Sequence, residues 1–121
     1  MGINFDKALG IHPHTLTLRT ERAKVLAGNL ANVDTPGFKA RDFDFQAAIA
    51  SVEAQRLGGQ GQVQTPPALQ YRNPYNNTMD GNTVELGVEQ AHYAQNAMDF
   101  ETSLTFLNMK FQGLATAIQG Q

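Results

Sequence analysis

The sequence predicts a mainly α-helical fold in which long amino- and carboxy-terminal helices pair as an antiparallel coiled coil. Apolar residues recur with helical spacing at both ends of the chain, and the stretch between them is rich in Gln, Gly, Pro and Asn. The 121 residues are enough for one domain. Residues 1–33 and 83–121 are therefore expected to form one discontinuous helical domain, and residues 34–82 a turn, a short helix and an irregular segment or small β-hairpin.

The amino-terminal helix is expected to run from about His12 to Asn32. Pro13 is tolerated in the first turn of a helix but not in its interior, and this sets the start. Apolar residues that recur every seven positions mark the side that packs, and His12 and Arg19 interrupt this stripe. The stripe consists of Leu9, Leu16, Ala23 and Leu30, widened by Leu26.

A sharp turn is predicted where this helix ends, in the run 34–37. Pro36 fixes φ at the second position of the turn, and Gly37 supplies the positive φ that a type II turn needs at the third. The first helix therefore stops before this run, and the chain changes direction.

A short helix should follow, with Asp44 as its cap and an end at Gly58-Gly59. One face of it carries Phe45, Ile49 and Val52. The polar stretch that follows, as far as Asn82, has too few apolar side chains to order itself alone, so it is predicted to be a loose loop or a small hairpin.

The carboxy-terminal helix gives the strongest periodic signal. Alternating steps of four and three from Tyr93 meet only apolar residues, which is the pattern of a coiled-coil seam. Extended back to Leu86, the helix would hold about 33 residues and span on the order of 50 Å. Asn82 or Thr83 is expected to cap it, with Glu85 completing a capping box. The seam consists of Tyr93, Ala97, Phe100, Leu104, Leu107, Phe111, Leu114 and Ile118.

Charge favours pairing of the two ends. Residues 6–33 carry four basic and two acidic side chains, whereas residues 83–118 carry four acidic and one basic. The formal net charge is −2 with no basic tract, so nucleic acid is not an expected partner. Neither a transmembrane segment nor a cleavable secretory signal is expected, because the chain lacks a long apolar run and a basic-then-apolar start.

No catalytic, cofactor or metal site is predicted. His12 and His14 form a His-x-His pair, but without further ligands nearby they are interpreted as helix-entry histidines. Asp42 and Asp44 are interpreted as one solvated carboxylate and one helix cap. The absence of cysteine removes disulfides, thiolate ligands and thiol nucleophiles.

Residues 26–39 resemble the amino-terminal signature of the flagellar axial proteins of rod and hook. In that signature an Asn-Leu-Ala-Asn helix end runs into Thr-Pro-Gly-Phe-Lys, as it does here. The run 80–86, Asp-Gly-Asn-Thr-Val-Glu-Leu, resembles the carboxy-terminal counterpart that leads into a long heptad helix. Among these families the small size favours a proximal rod member. The matching motif positions are Asn29, Asn32, Thr35, Pro36, Gly37 and Phe38.

The resemblance implies export through the flagellar type III apparatus and polymerisation through the terminal helices into a hollow rod crossing the periplasm. Expected partners are copies of the chain, other rod proteins, the rod adaptor protein and the export gate; no cofactor or small-molecule substrate is implied. Asn29 and Asn32 suit a helix end, where amides bond unpaired carbonyls. The residues alone leave two alternatives open: a monomeric helical-hairpin module that binds a protein, and a small metal-dependent enzyme.

Overall fold

The computed structural model describes residues 8–58 and 67–120. The elements in chain order are helix α1 (His12–Ala31), strand β1 (Arg41–Asp42), helix α2 (Phe45–Leu57), strand β2 (Gln70–Tyr71) and helix α3 (Leu86–Ile118). The predicted fold, mainly helical with long terminal helices, is confirmed. Within the described ranges no helix is both long and apolar enough to cross a bilayer.

Helix α1 begins at His12 with Pro13 in its first turn, as the sequence predicts. Gly10 precedes it at φ 65°, a left-handed conformation that favours glycine and interrupts a helix. Leu9 therefore lies before this interruption, and the apolar residues spaced every seven positions from Leu9 do not all lie on one continuous helix. At the other end, the Asn32 side-chain amide donates to the Gly28 carbonyl at 2.8 Å.

Helices α1 and α3 pack against each other in antiparallel orientation. Asn29, near the end of α1, donates to Glu89 near the start of α3, whereas His12 at the start of α1 stacks on Phe106 with ring centroids 6.4 Å apart. Since α3 is 33 residues long and continues to Ile118, it projects beyond the start of α1 by about three turns, on the order of 18 Å. The two helices are thus paired over only part of α3.

The buried apolar core lies between α1 and α2. Its centre is a cluster of Leu18, Phe43 and Val52, against which further apolar residues of both helices pack. Helix α2 starts as predicted, because the Asp44 carboxylate accepts from the Ala47 N–H at 3.2 Å. It ends with Gly58 as its C-cap; Gly59, predicted to share that role, lies outside the described residues.

The two strands of the small sheet lie before and after α2 in the sequence, so the sheet is not a local hairpin. Arg41 is opposite Tyr71 and Asp42 is opposite Gln70 in an antiparallel pair. One strand therefore comes from the polar stretch after α2 and the other from the segment before it.

Candidate functional site

The two sequence motifs meet at one end of the α1–α3 pair, where Asn82 binds the end of α1. Its Nδ2 lies 3.0 Å from the Asn32 carbonyl and 2.8 Å from those of Val33 and Thr35. Its Oδ1 accepts from the Val84 N–H at 2.7 Å, and the residue is 4% exposed. The Asn32 and Thr35 carbonyls also accept from the Thr35 and Phe38 N–H groups, so Asn82 adds a second bond to each of them and also binds the Val33 carbonyl.

The predicted capping of α3 by Asn82 or Thr83 with Glu85 is wrong. Glu85 itself stands at the N-cap position and makes no side-chain cap bond. The physical reason is that all three side chains have other partners. Asn82 is bound to the end of α1, Thr83 Oγ1 accepts from the Ala40 N–H at 2.7 Å, and the Glu85 carboxylate accepts from the Tyr75 N–H at 2.8 Å.

Backbone hydrogen bonds join the turn after α1 to the segment before α3. The Gly37 N–H donates to the Asp80 carbonyl and the Thr83 N–H donates to the Phe38 carbonyl, each at 2.9 Å. Gly37 has the predicted positive φ, 75°, and the Phe38 N–H closes the turn onto Thr35 at 3.2 Å. Pro36 is exposed at the tip, and Phe38 is half-buried.

Asn29 connects three elements from the buried side of α1. Its Nδ2 donates to the Arg41 carbonyl at 2.7 Å and to a Glu89 carboxylate oxygen at 3.0 Å. Its Oδ1 accepts from the Arg41 N–H at 3.0 Å, and the residue is 2% exposed. A single amide therefore fixes the positions of α1, β1 and α3 relative to one another.

Glu89 also belongs to a network of charged side chains. This network, together with Asn29 and Asn82, is called the polar junction. Arg22 binds both carboxylate oxygens of Asp42 at 3.1 Å, and Arg72 binds Asp42 at 2.6 Å. Arg72 also pairs with Glu89, which is 1% exposed. Buried charges are tolerated only when they are paired, so the members of this network depend on each other.

The environment of this network shifts two pKa values. Burial alone would raise the pKa of Asp42, but hydrogen bonds from Arg22, from the Phe43 N–H and from Arg72 outweigh it, and the pKa lies below its usual range. The pKa of His92 is lowered by burial and by the positive charges of Arg72 and Arg22. The interpretation of Asp42 as a solvated surface carboxylate is therefore wrong.

The side of α3 that faces α1 is largely polar. Asn96 donates to the Arg19 carbonyl at 2.9 Å, and Arg19 pairs with Asp99 at 3.4 Å. Glu89 and Asn96 are buried, and Leu107 is the buried apolar residue of this helix. Asn96 and Asp99, which contact α1, each precede a predicted seam position by one residue, whereas Leu107 is itself a seam position.

Part of the predicted seam is exposed in the single chain, whereas Leu107 is buried and Phe100, Leu104 and Leu114 are half-buried. Tyr93 is 42%, Phe111 46% and Ile118 60% exposed, and Ala97 is also exposed. The heptad pattern locates the most apolar stripe of a helix, but it does not identify the surface that covers the stripe. Phe111, Leu114 and Ile118 are exposed or half-buried because they lie past the start of α1, whereas Tyr93, Ala97 and Phe100 lie at the edge of the contact with α1. The partly or fully exposed seam residues, here called the outer stripe, are Tyr93, Ala97, Phe100, Leu104, Phe111, Leu114 and Ile118.

The stripe predicted on α1 is closer to the interior. Leu26 is fully buried, and the remaining four positions are half-buried: Leu9, Leu16, Ala23 and Leu30. Between this stripe and the outer stripe lies a groove of about 300 Å³, the α1–α3 groove. It is lined by Arg19, Thr20, Ala23, Tyr93, Asn96, Ala97, Phe100 and Glu101.

The two histidines at the start of α1 are half-buried, and the His12 ring lies at 25° to the ring of Phe106. In the part of the chain that the structure describes, no three His, Cys, Asp or Glu side chains are grouped so that they could hold a metal ion.

Known proteins share both the motifs and the full length of the chain. A family model described as "Flagella basal body rod protein" matches residues 11–39. The flagellar basal body rod protein FlgB of Aeromonas hydrophila is 44% identical over an alignment covering 100% of this chain and 99% of that protein. The chain belongs to the FlgB family of flagellar basal body rod proteins. FlgB of Cereibacter sphaeroides is 41% identical over 97% of this chain and 98% of its own length, and FlgB of Escherichia coli K12 is 33% identical over 94% of both.

This membership confirms the resemblance to the flagellar axial proteins. In this FlgB-family chain, the stretch matched by the family model contains α1, the turn at Gly37 and the two asparagines of the motif. Sequence reasoning did not find Arg22, Arg72 or Glu89, because isolated charged residues give no periodic signal. The opposite net charges of the two ends indicated that the ends pair, but not which side chains do so.

Proposed function

We propose that this chain is a structural, non-catalytic subunit of the flagellar basal body rod, and that it assembles through the outer stripe of α3. Residues 1–33 and 83–121 are the assembling unit in this proposal. The observation that supports it best is that much of the most regular apolar pattern of the chain is exposed or only half-buried in the single chain. A contiguous exposed apolar surface of this kind is typical of a protein interaction site.

The free energy available from the outer stripe is sufficient for weak contacts that many copies repeat. Complete burial of a large apolar side chain contributes roughly 1.5–3 kcal/mol. Tyr93, Phe111 and Ile118 are each about half exposed, so covering their remaining surface contributes on the order of 1 kcal/mol per side chain. Several such side chains at each contact favour assembly without requiring a tight dimer in solution.

The polar junction supports this role by holding the helices in place before assembly. Asn29 donates to Glu89 of α3, and Asn82 donates to carbonyls of the turn after α1, so both link α1 to α3. Pre-ordered helices lose less conformational entropy when a partner binds. The junction is thus expected to orient the outer stripe and not to contact substrate.

The finer elements of the proposal follow from family resemblance. The expected partners are copies of this chain, other rod proteins, the rod adaptor protein and the export gate at the rod base. The expected route is export by the flagellar type III system without a cleaved signal, and the expected position is the rod in the periplasm. Each is testable by crosslinking in isolated basal bodies.

The proposal is tested by adding one negative charge to the outer stripe. Phe111→Glu should leave the isolated chain folded, because the side chain is already 46% exposed. It should prevent incorporation into the rod, since a carboxylate buried in an apolar contact is strongly unfavourable. Sedimentation with other rod proteins and swimming motility of a complemented strain measure the effect.

The matched control is Thr116→Glu, which adds the same charge at an exposed position on the opposite side of the same turns of α3. It should assemble and support motility. Normal assembly of Phe111→Glu would refute the role of the outer stripe, and a chain that remains monomeric with every rod protein would favour a helical-hairpin binding module.

A further inference from the structure

The last turns of α3 form a projecting segment with unusual composition. Residues 108–118 extend past the start of α1, and nearly all of them are exposed. Their single charged side chain is Lys110. Phe111, Leu114 and Ile118 lie on one face over two helical turns, so the segment presents a short apolar stripe flanked by one positive charge.

The α1–α3 groove has complementary dimensions and chemistry. Tyr93 and Phe100, at its two ends along α3, are separated by seven residues, the same separation as Phe111 and Ile118. Small side chains, Ala23 and Ala97, line its floor, and Glu101 provides a negative charge. An apolar stripe two turns long therefore matches the groove in length.

A buried polar atom in the groove also indicates an unfilled contact. Asn96 is 2% exposed and its amide donates to the Arg19 carbonyl, but its Oδ1 is buried without a hydrogen-bond partner among the described residues. A buried acceptor left unpaired is destabilising, so such groups are almost always satisfied in native assemblies. The Nε of Arg19, which lines the same groove, is likewise buried without a partner among the described residues, so the polar atoms at this point of the groove are incompletely paired in the single chain.

We propose that the projecting segment 108–118 of one copy docks in the α1–α3 groove of a second copy. The apolar face of the segment covers Ala97 and its neighbours, and the Lys110 ammonium donates to the exposed Glu101 carboxylate. This inference rests on the proposed function and specifies which surfaces meet. It is separate from the broader claim that the outer stripe mediates assembly.

The contact is head-to-tail, because the segment and the groove are different parts of α3. Each copy that offers its segment still has a free groove, and each copy that fills a groove still has a free segment. Contacts of this kind extend into rings or open helical arrays and do not stop at a dimer. The geometry is therefore compatible with a subunit of a helical rod.

The absence of cysteine from the chain permits a direct crosslinking test. Full-length Ala97→Cys and Ala115→Cys proteins are mixed under mild oxidation, and mass spectrometry identifies the disulfide-linked products. Ala97 lines the groove and Ala115 is an exposed residue on the projecting segment. Ala54→Cys, at an exposed position on α2, replaces Ala97→Cys in the control mixture.

The mixed disulfide between positions 97 and 115 should exceed the control product several-fold. Dominant disulfides between two Ala97→Cys chains would indicate groove-to-groove pairing and overturn the inference. Association of the wild-type chain without the mixed disulfide would also overturn it while leaving the proposed function intact. A wild-type chain that associates neither with itself nor with other rod proteins would overturn both.

A charge exchange tests the position of Lys110. Glu101→Lys in the groove-bearing chain, or Lys110→Glu in the segment-bearing chain, should each reduce the yield of the mixed disulfide. The two changes together should restore the yield, with all variants showing the circular dichroism spectrum of the wild type. Equal yields in all four combinations would refute the predicted pairing of the segment with the groove.

Discussion

Replacement of Asn82 by alanine should destabilise the chain strongly, although only a small side chain is removed. Asn82 Nδ2 is within hydrogen-bond distance of three carbonyls, and its Oδ1 accepts from the Val84 N–H. An amide has two hydrogens, so two good bonds to carbonyls and one from Val84 are lost. At a net 0.5–1.5 kcal/mol for each bond, the expected loss is roughly 2–4 kcal/mol.

This loss is large compared with the whole stability of a typical domain, about 5–15 kcal/mol. Urea unfolding followed by circular dichroism at helical wavelengths measures it. With a slope of roughly 2 kcal/mol per molar urea, in the middle of the usual range, the midpoint should fall by about 1–2 M while the slope stays unchanged. A changed slope would indicate an altered native or unfolded state and not simply lost bonds.

Two further variants make the Asn82 result interpretable. Asn76→Ala removes an exposed asparagine and should change the stability by less than about 0.5 kcal/mol. Asn82→Asp keeps the shape but replaces the donor by a carboxylate facing carbonyl oxygens, so it should cost at least as much as alanine. If Asn82→Ala is no more destabilising than Asn76→Ala, the hydrogen bonds of Asn82 in the polar junction do not stabilise the fold.

Three other predictions follow from the same contacts. Because the pKa of Asp42 is lower in the folded chain, its stabilising contribution should be present above about pH 4 and be lost as the pH falls further; Asp42→Asn should weaken this acid dependence in urea titrations. The pKa of His92 is also lowered, so stability should decline as the pH falls below about 6.5, and His92→Gln should flatten that decline. Leu107→Ala should cost about 2–3 kcal/mol in the isolated chain, whereas Phe111→Ala should cost less than about 1 kcal/mol, since only Leu107 is buried. Similar unfolding midpoints for these last two variants would contradict the assigned helix faces.

The predictions for helices α1 and α2 succeeded because their limits depend on local chemistry. Pro13 is compatible only with a first turn, Gly37 supplies a positive φ, and Asp44 accepts from the amide three residues ahead. Such signals act within a few residues, so they can be recognised in the sequence without knowing the fold.

The functional surface was harder to predict because it depends on long-range partners. The heptad repeat of α3 predicted an apolar stripe, but it could not show how much of the stripe α1 covers, because that depends on long-range contacts such as those of Asn96 and Asp99 with Arg19. The role of Asn82 was similarly hidden, because its partners lie about 50 residues earlier in the chain. The residue type and position of Asn82 predicted a cap for the nearest helix, α3, whereas in the structure its side chain binds the end of α1.

The accessibility of position 97 tests most directly whether the outer stripe is an assembly surface. Ala97→Cys introduces a single thiol at an exposed small residue of the stripe, and its maleimide labelling rate can be compared between the dilute chain and isolated basal bodies. The thiol should react readily in the dilute chain and be strongly protected in basal bodies. Equal labelling rates in the two states would contradict the proposal that this stripe is covered when the rod forms.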